Sequence, residues 1–188
     1  MLSEKQFRER AKVELRQVGK QAASLATDRD IYWKLERDVI AQNPKLQGTD
    51  AFLDMVRGAY ADAMVLRALH LLDSEGGEAS LRRVLAQLAD YPQLLHDKVS
   101  DREFSDDRAT LEQAATKLKG LHGTHFAHHE RTPAALAAHH AAIDQAIDAM
   151  TSTLKTYYWV VAEGHLDLDV KYAGDPLTVF RFAWIAPQ

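Results

Sequence analysis

The chain contains no cysteine. That removes disulfides, thiolate zinc sites and thiol nucleophiles from consideration, and it suits a reducing compartment. Proline is scarce, with five in 188 residues, so long helices can run without interruption. Long apolar runs are missing as well. The richest, "YYWVVA" at 157–162, falls far short of a membrane span. The opening "MLSEKQFRERAKVELRQ" is charged from its fourth residue and has no apolar signal-peptide core, so a cytoplasmic location is expected. An excess of positive charge is absent too. The formal net charge is −4, which provides no overall field for nucleic acid and leads us to expect no DNA partner. The cations near the middle, Arg108, Lys117, Lys119 and Arg131, face Glu112 and Glu130 and form at most a mild patch.

What is present is helical periodicity. Ser3 and Gln6 have the spacing of a capping box, and Phe7, Ala11, Leu15, Val18, Ala22 and Leu25 make one apolar stripe. "TDRD" at 27–30 is expected to bend or restart the chain, and "NPKLQG" to stop it. Asp50 should cap a strong helix through "AFLDMVRGAYADAMVLRALHLLD", with Phe52, Met55, Ala59, Ala63, Leu66 and His70 as its inner face. On that helix Arg57 and Tyr60 would suit a ligand-facing groove. Arg67 and His70 are read as pairing with helix neighbours or with Asp73. "SEGGEAS" breaks the helix, Ser80 caps "LRRVLAQLAD", and "YP" ends it. Residues 93–106 read as irregular, closing in "SDD" as an N-cap.

Spacing resumes at Leu111, Ala114, Ala115, Leu118 and Leu121, and Gly120 and Gly123 are expected to interrupt it. "RTP" then starts a helix with Thr132 as cap and Pro133 in its first turn, running to about Tyr158 through Leu136, Ile143, Ile147, Met150 and Leu154. Tyr157, Tyr158, Trp159 and Tyr172 read as packing residues rather than a base-stacking platform. "DPLTVFRFAWI" fits a strand or a packed extension equally well, so the fold of residues 160–188 stays open. With no repeat or linker, the expectation is one all-α domain over 1–188. It is an up-and-down antiparallel bundle with a hairpin turning near 123–132 and a short C-terminal extension.

Six of nine histidines fall between 122 and 140, four of them in "HGTHFAHHE". One reading is a metal site drawn from His122, His125, His129, His139 and His140. The last two sit about 10 Å down one hairpin arm, level with His125 on the other. A second reading is two-histidine acid–base chemistry on RNA, whose 2′-hydroxyl supplies the nucleophile while Arg131 and Lys119 neutralise the phosphate. The third leaves His128 and His129 in water at the turn and His139 and His140 on a helix surface.

"RGAYADAMVLRALHLLDSEGGEASLRRVLAQL" at 57–88, followed by "LKGLHGTHFAHHE", resembles the HEPN superfamily in its abortive-infection AbiU-like branch. Leu71, Leu72 and Asp73 match its "LxD", and Ser80, Leu81, Val84 and Leu85 its "SLxxLL". Leu121, Phe126, Ala127, His128 and Glu130 match "LRDKxxAHxD". The resemblance covers roughly residues 28–160 and implies a helical bundle, usually dimeric. In active members an arginine followed by a histidine contributes to a metal-independent RNase site between two protomers, in abortive infection, toxin–antitoxin systems or other phage defence. Other members are inactive binding modules, some paired with a nucleotidyltransferase-type antitoxin. Carried over, the family histidine is His128. The arginine position holds His122, the usual acidic neighbour is Gly123, and the lysine is Thr124. The resemblance therefore implies His128 and His122 as catalytic candidates, with Lys119, Arg131, His125 and His129 contacting RNA and no cofactor required.

Overall fold

A computed structural model describes residues 2–46, 51–73, 80–128 and 133–181, with side chains described except at 45, 123–128, 133–135, 179 and 181. The described residues form helices α1 (Glu4–Lys34), α2 (Ala51–Leu72), α3 (Leu81–Leu88), α4 (Pro92–Leu95), α5 (Asp101–His128) and α6 (Pro133–Ala162). Leu35–Ile40 adds a π-helical turn, and Pro44–Leu46 and Thr178–Arg181 are short 3₁₀ turns. The chain is all-α among the described residues.

α1 begins as its sequence dictates. The Ser3 side chain accepts from the Gln6 N–H while Gln6 reaches back to the Ser3 N–H, so two of the orphan donors at the helix start are satisfied. Its stripe from Phe7 to Leu25 is wholly buried. The expected bend at 27–30 does not occur. Each polar residue there has a partner compatible with helix: Thr27 bonds back to the Ala23 carbonyl, Asp28 meets Arg67, Arg29 meets Asp148 and the Asp144 carbonyl, and Asp30 pairs with Lys34.

Contacts fix the helix directions. Arg8 reaches Glu163 and Arg16 reaches Tyr158, while Trp33 at the other end of α1 bonds Asp144, so α1 and α6 are antiparallel. Arg57 meets Glu36 and Arg67 meets Asp28, which makes α2 antiparallel to α1. Tyr157 bonds Asp107 and Lys117 bonds Gln145, so α5 is antiparallel to α6. This is an up-and-down bundle of four long helices. α3, capped by Ser80, extends α2's course along α1 through Arg83 and Glu14. Phe7 stacks on Tyr91 at the end remote from the hairpin.

Three further expectations are corrected. α2 buries Leu53, Ala61, Met64, Val65, Ala68, Leu71 and Leu72, whereas Phe52, Met55, Ala59, Ala63, Leu66 and His70 all face outward. Residues 93–106 are not irregular throughout. Ser100 and Glu103 form a second capping box, and α5 starts at Asp101. Nor does Gly120 break α5, which continues to His128. A lone helical glycine costs only about 1 kcal/mol, less than burying Leu111 and Leu118, both fully enclosed, returns.

α6 begins at Pro133 and buries Leu136, Ile143, Ile147, Met150, Leu154, Tyr157 and Tyr158. It ends at Ala162, where the left-handed φ of 52° at Glu163 closes the helix while the Glu163 carboxylate takes Arg8 and Lys98. The segment beyond returns along α1 as a packed extension. Leu166 lies against Gly19, and Tyr172 receives Lys34. Asp50, Thr132 and residues 182–188 lie outside the described residues.

Candidate functional site

α5 and α6 form the anticipated hairpin, and the residues between them, 129–132, lie outside the described residues. His129 and Arg131 lie outside the described residues, as do the side chains of His125 and His128. The backbone nevertheless fixes helical positions. His122 and His128 are six residues apart on one regular helix, so about 9 Å along its axis and about 120° around it. They do not share a face. His122 is half-buried and Lys119 exposed. The mild basic patch is not one patch, because Arg108 sits over Phe104 well back along α5 and Lys117 is engaged by Gln145.

His139 and His140 are not on a helix surface. They are 5% and 8% exposed, facing the interior. Among the described residues no group of three or more His, Asp or Glu side chains is placed to hold a metal ion. The described members of the histidine set, His122, His139 and His140, therefore do not make a metal centre by themselves.

His140 belongs to a different constellation, beneath the hairpin. The π-helical turn places Glu36 opposite α2, where its two oxygens take Nε and Nη2 of Arg57 at 2.7 and 2.9 Å. This is the forked geometry that arginine provides and lysine does not. One turn back on α1, the Tyr32 ring stacks on Tyr60 at 3.9 Å with planes 5° apart. The Tyr32 hydroxyl is hydrogen-bonded to Glu36 and lies 3.4 Å from Nδ1 of His140. Trp33 meets His140 edge-on and donates to Asp144.

Charge assigns the protons. Burial alone would raise the Glu36 carboxyl, but the hydrogen bond and charge of Arg57, helped by Tyr32, hold it below its ordinary value. It is therefore a carboxylate and can only accept. Burial, then Glu36, push the Tyr32 phenol well above the usual tyrosine range, so it keeps its proton and donates it to Glu36. Burial holds His140 below the ordinary histidine value despite the opposing charges of Glu36 and Asp144, which favours the neutral imidazole. Its Nε2 and the Tyr60 hydroxyl are both buried with no hydrogen-bond partner among the described residues.

Sequence reading singled out Arg57 and Tyr60 but not Tyr32, Glu36 or Asp144. The i, i+4 spacing of Tyr32 and Glu36 and the i, i+3 spacing of Arg57 and Tyr60 put each pair on one helix face. Only tertiary packing shows that the two faces meet. Arg67 pairs across helices with Asp28 and Ser24 rather than with Asp73. Tyr157 and Tyr158 are core, as expected, while Trp159 is partly exposed beneath the Lys98 ammonium. No helix among the described residues is long and apolar enough to cross a membrane. Searched with this chain, no family model matches, and neither do the curated proteins or the solved structures.

Proposed function

We propose that this chain is a HEPN-like bundle acting at its hairpin end as a metal-independent endoribonuclease, in phage defence or a toxin–antitoxin system of a prokaryotic cytoplasm. His128 is the acid–base residue in this reading and His122 its neighbour. Lys119, Arg131, His125 and His129 are the contacts to RNA. The carrying observation is that α5 remains helical through His128 and delivers the motif-bearing stretch to the tip of a hairpin, against the start of α6. The 2′-hydroxyl of RNA attacks the adjacent phosphorus, an imidazole takes its proton, and an acid protonates the leaving 5′-oxygen. Cationic side chains offset the charge that gathers on the phosphate.

A second reading is favoured by the helical phase of His122 and His128. A pair about 9 Å apart and out of phase cannot serve one phosphodiester from a single chain. With His122 also standing where the resembled family has arginine, the chain would be an inactive bundle that holds RNA or a protein partner, such as a nucleotidyltransferase-type antitoxin.

One experiment separates the readings: cleavage of RNA by purified protein in excess EDTA, beside identically purified His128→Ala. The RNase reading expects wild type to cleave and the variant to lose at least a hundredfold. Equal rates refute it and leave the binding module, to be tested by partner pull-down.

A further inference from the structure

The middle of α1 and the C-terminal third of α2 flank a groove of about 390 Å³. Its floor is apolar. Leu25 and Leu71 are core residues, each 1% exposed, and Leu66 beside them is 48% exposed. Its rim is cationic, with Lys20 on α1 and Arg67 on α2, and no carboxylate lines it. Two larger grooves carry carboxylates of their own: Glu112 between α3 and α5, and Asp38 and Asp175 beside the π-helical turn. In a chain of net charge −4 the α1–α2 groove is a local reversal of sign.

The two cations are prepared differently. Arg67 is already held, by Asp28, by Oγ of Ser24 at 2.9 Å and by the Met64 sulfur at 3.9 Å. Those contacts fix its place, and Asp28 offsets its charge. Lys20 is exposed and has no hydrogen bond or ion pair among the described residues. The residues one turn away from it on α1, Arg16, Gln17, Ala23 and Ser24, include no carboxylate. The groove therefore offers one uncompensated ammonium at the edge of an apolar floor.

We propose that this groove binds a small organic anion, a carboxylate on an aromatic ring or short hydrocarbon body. The proposal goes beyond the RNase reading and does not rest on it.

Both halves of the ligand are needed. The apolar body leaves water for the leucines, the usual driving force in small-molecule clefts. A cavity of about 150 Å³ already accommodates a benzene ring, so the groove has room for a ring and a short chain. The carboxylate then meets the Lys20 ammonium at the rim, with its outer oxygen still in water. An inorganic anion would leave the leucines wet, and a neutral hydrocarbon would leave Lys20 unpaired. A polyanion such as RNA would find one free ammonium here, too few for a phosphate backbone, whose binding grows with the number of cations engaged.

Phenylpropionate is a direct probe, with phenylpropanol as its neutral counterpart. In amide-resolved NMR spectra phenylpropionate should shift Lys20, Ser24, Leu66 and Leu71 saturably, with a Kd on the order of one millimolar. Phenylpropanol should bind about fivefold more weakly, the worth of one exposed ion pair. Lys20→Gln should weaken phenylpropionate by the same factor and leave phenylpropanol unchanged. Leu66→Ser should weaken both. Neither variant threatens the fold, since Lys20 has no partner to lose and Leu66 is already half in water, and dispersed spectra check this. No saturable shift at the groove at concentrations well above a millimolar would overturn the proposal. So would equal Kd values for the two probes, or a phenylpropionate Kd unchanged in Lys20→Gln, because each leaves the ammonium without a role.

Discussion

Replacing Arg57 by Met keeps the bulk of the side chain and removes the fork from Glu36. The Glu36 and Arg57 side chains are 18% and 25% exposed, between a surface pair and a core pair. Exposed ion pairs contribute about 0.2–1 kcal/mol, while removing one partner of a fully buried pair costs about 3–5 kcal/mol. The stranded carboxylate keeps its hydrogen bond from Tyr32, which holds the loss to about 2–3 kcal/mol. In a chain of this length that lowers the melting temperature by roughly 4–12 °C. Glu36→Gln leaves a neutral acceptor for Tyr32 and should cost about 1–2 kcal/mol. Once the fork has lost one side, losing the other matters less, so the double variant should fall short of the summed losses by about 1.5 kcal/mol. Urea unfolding followed by far-UV circular dichroism measures all four proteins. A coupling below about 0.5 kcal/mol is indistinguishable from independent sites. It would show that Arg57 and Glu36 contribute separately, and the network argument would fail with it.

Other consequences can be checked on the same instrument. Gly120→Ala adds a methyl that meets no atom within 4 Å, in the interior of a continuous helix, so it should stabilise by about 0.5–1 kcal/mol. If Gly120 instead ended the helix, the substitution would be neutral or harmful. Gly19→Val should destabilise by about 1–3 kcal/mol, because even the first carbon would stand 2.8 Å from Leu166. Adding Leu166→Ala should recover part of that loss. His140 in the folded protein titrates below the ordinary histidine value of 6.5. As pH falls through that value the unfolded chain gains a proton that the folded one refuses, and stability declines with it. The depressed Glu36 carboxyl adds a second loss in the same direction, nearer the ordinary carboxylate value. Unfolding free energies at about pH 7 and pH 5.5 should differ more for wild type than for His140→Gln. Equal differences would mean that folding leaves the titration of His140 unshifted.

Local signals with a local cause were legible in the sequence. Ser3 with Gln6, the stripe from Phe7 to Leu25, Ser80 as an N-cap and Pro133 at a helix start each depend on neighbours within a turn or two. Signals answered across the bundle were not. "TDRD" reads as a bend until Arg67, Asp148 and Lys34 are known to meet its charges. The π-helical turn at Leu35–Ile40 contains no proline or glycine to announce it, and its position is understandable only from Arg57 waiting on α2 for Glu36. His139 and His140 are polar residues on a helix, so surface exposure is the ordinary expectation. Tyr32 supplies the oxygen that lets His140 sit inside, and it lies more than a hundred residues away.

The misreading of α2 was of another kind. Both of its faces are apolar, so periodicity detects a helix without choosing its inward side. Phe52, Met55, Ala59, Ala63 and Leu66 make a better stripe on paper than the set that is buried. A stripe of that regularity lies on the water side of the described bundle, and the inward side is chosen by what the other helices offer. Arg57 and Tyr60 turn from α2 toward Glu36, Tyr32 and His140, and those partners on α1, its π-helical turn and α6 fix the phase that periodicity leaves open.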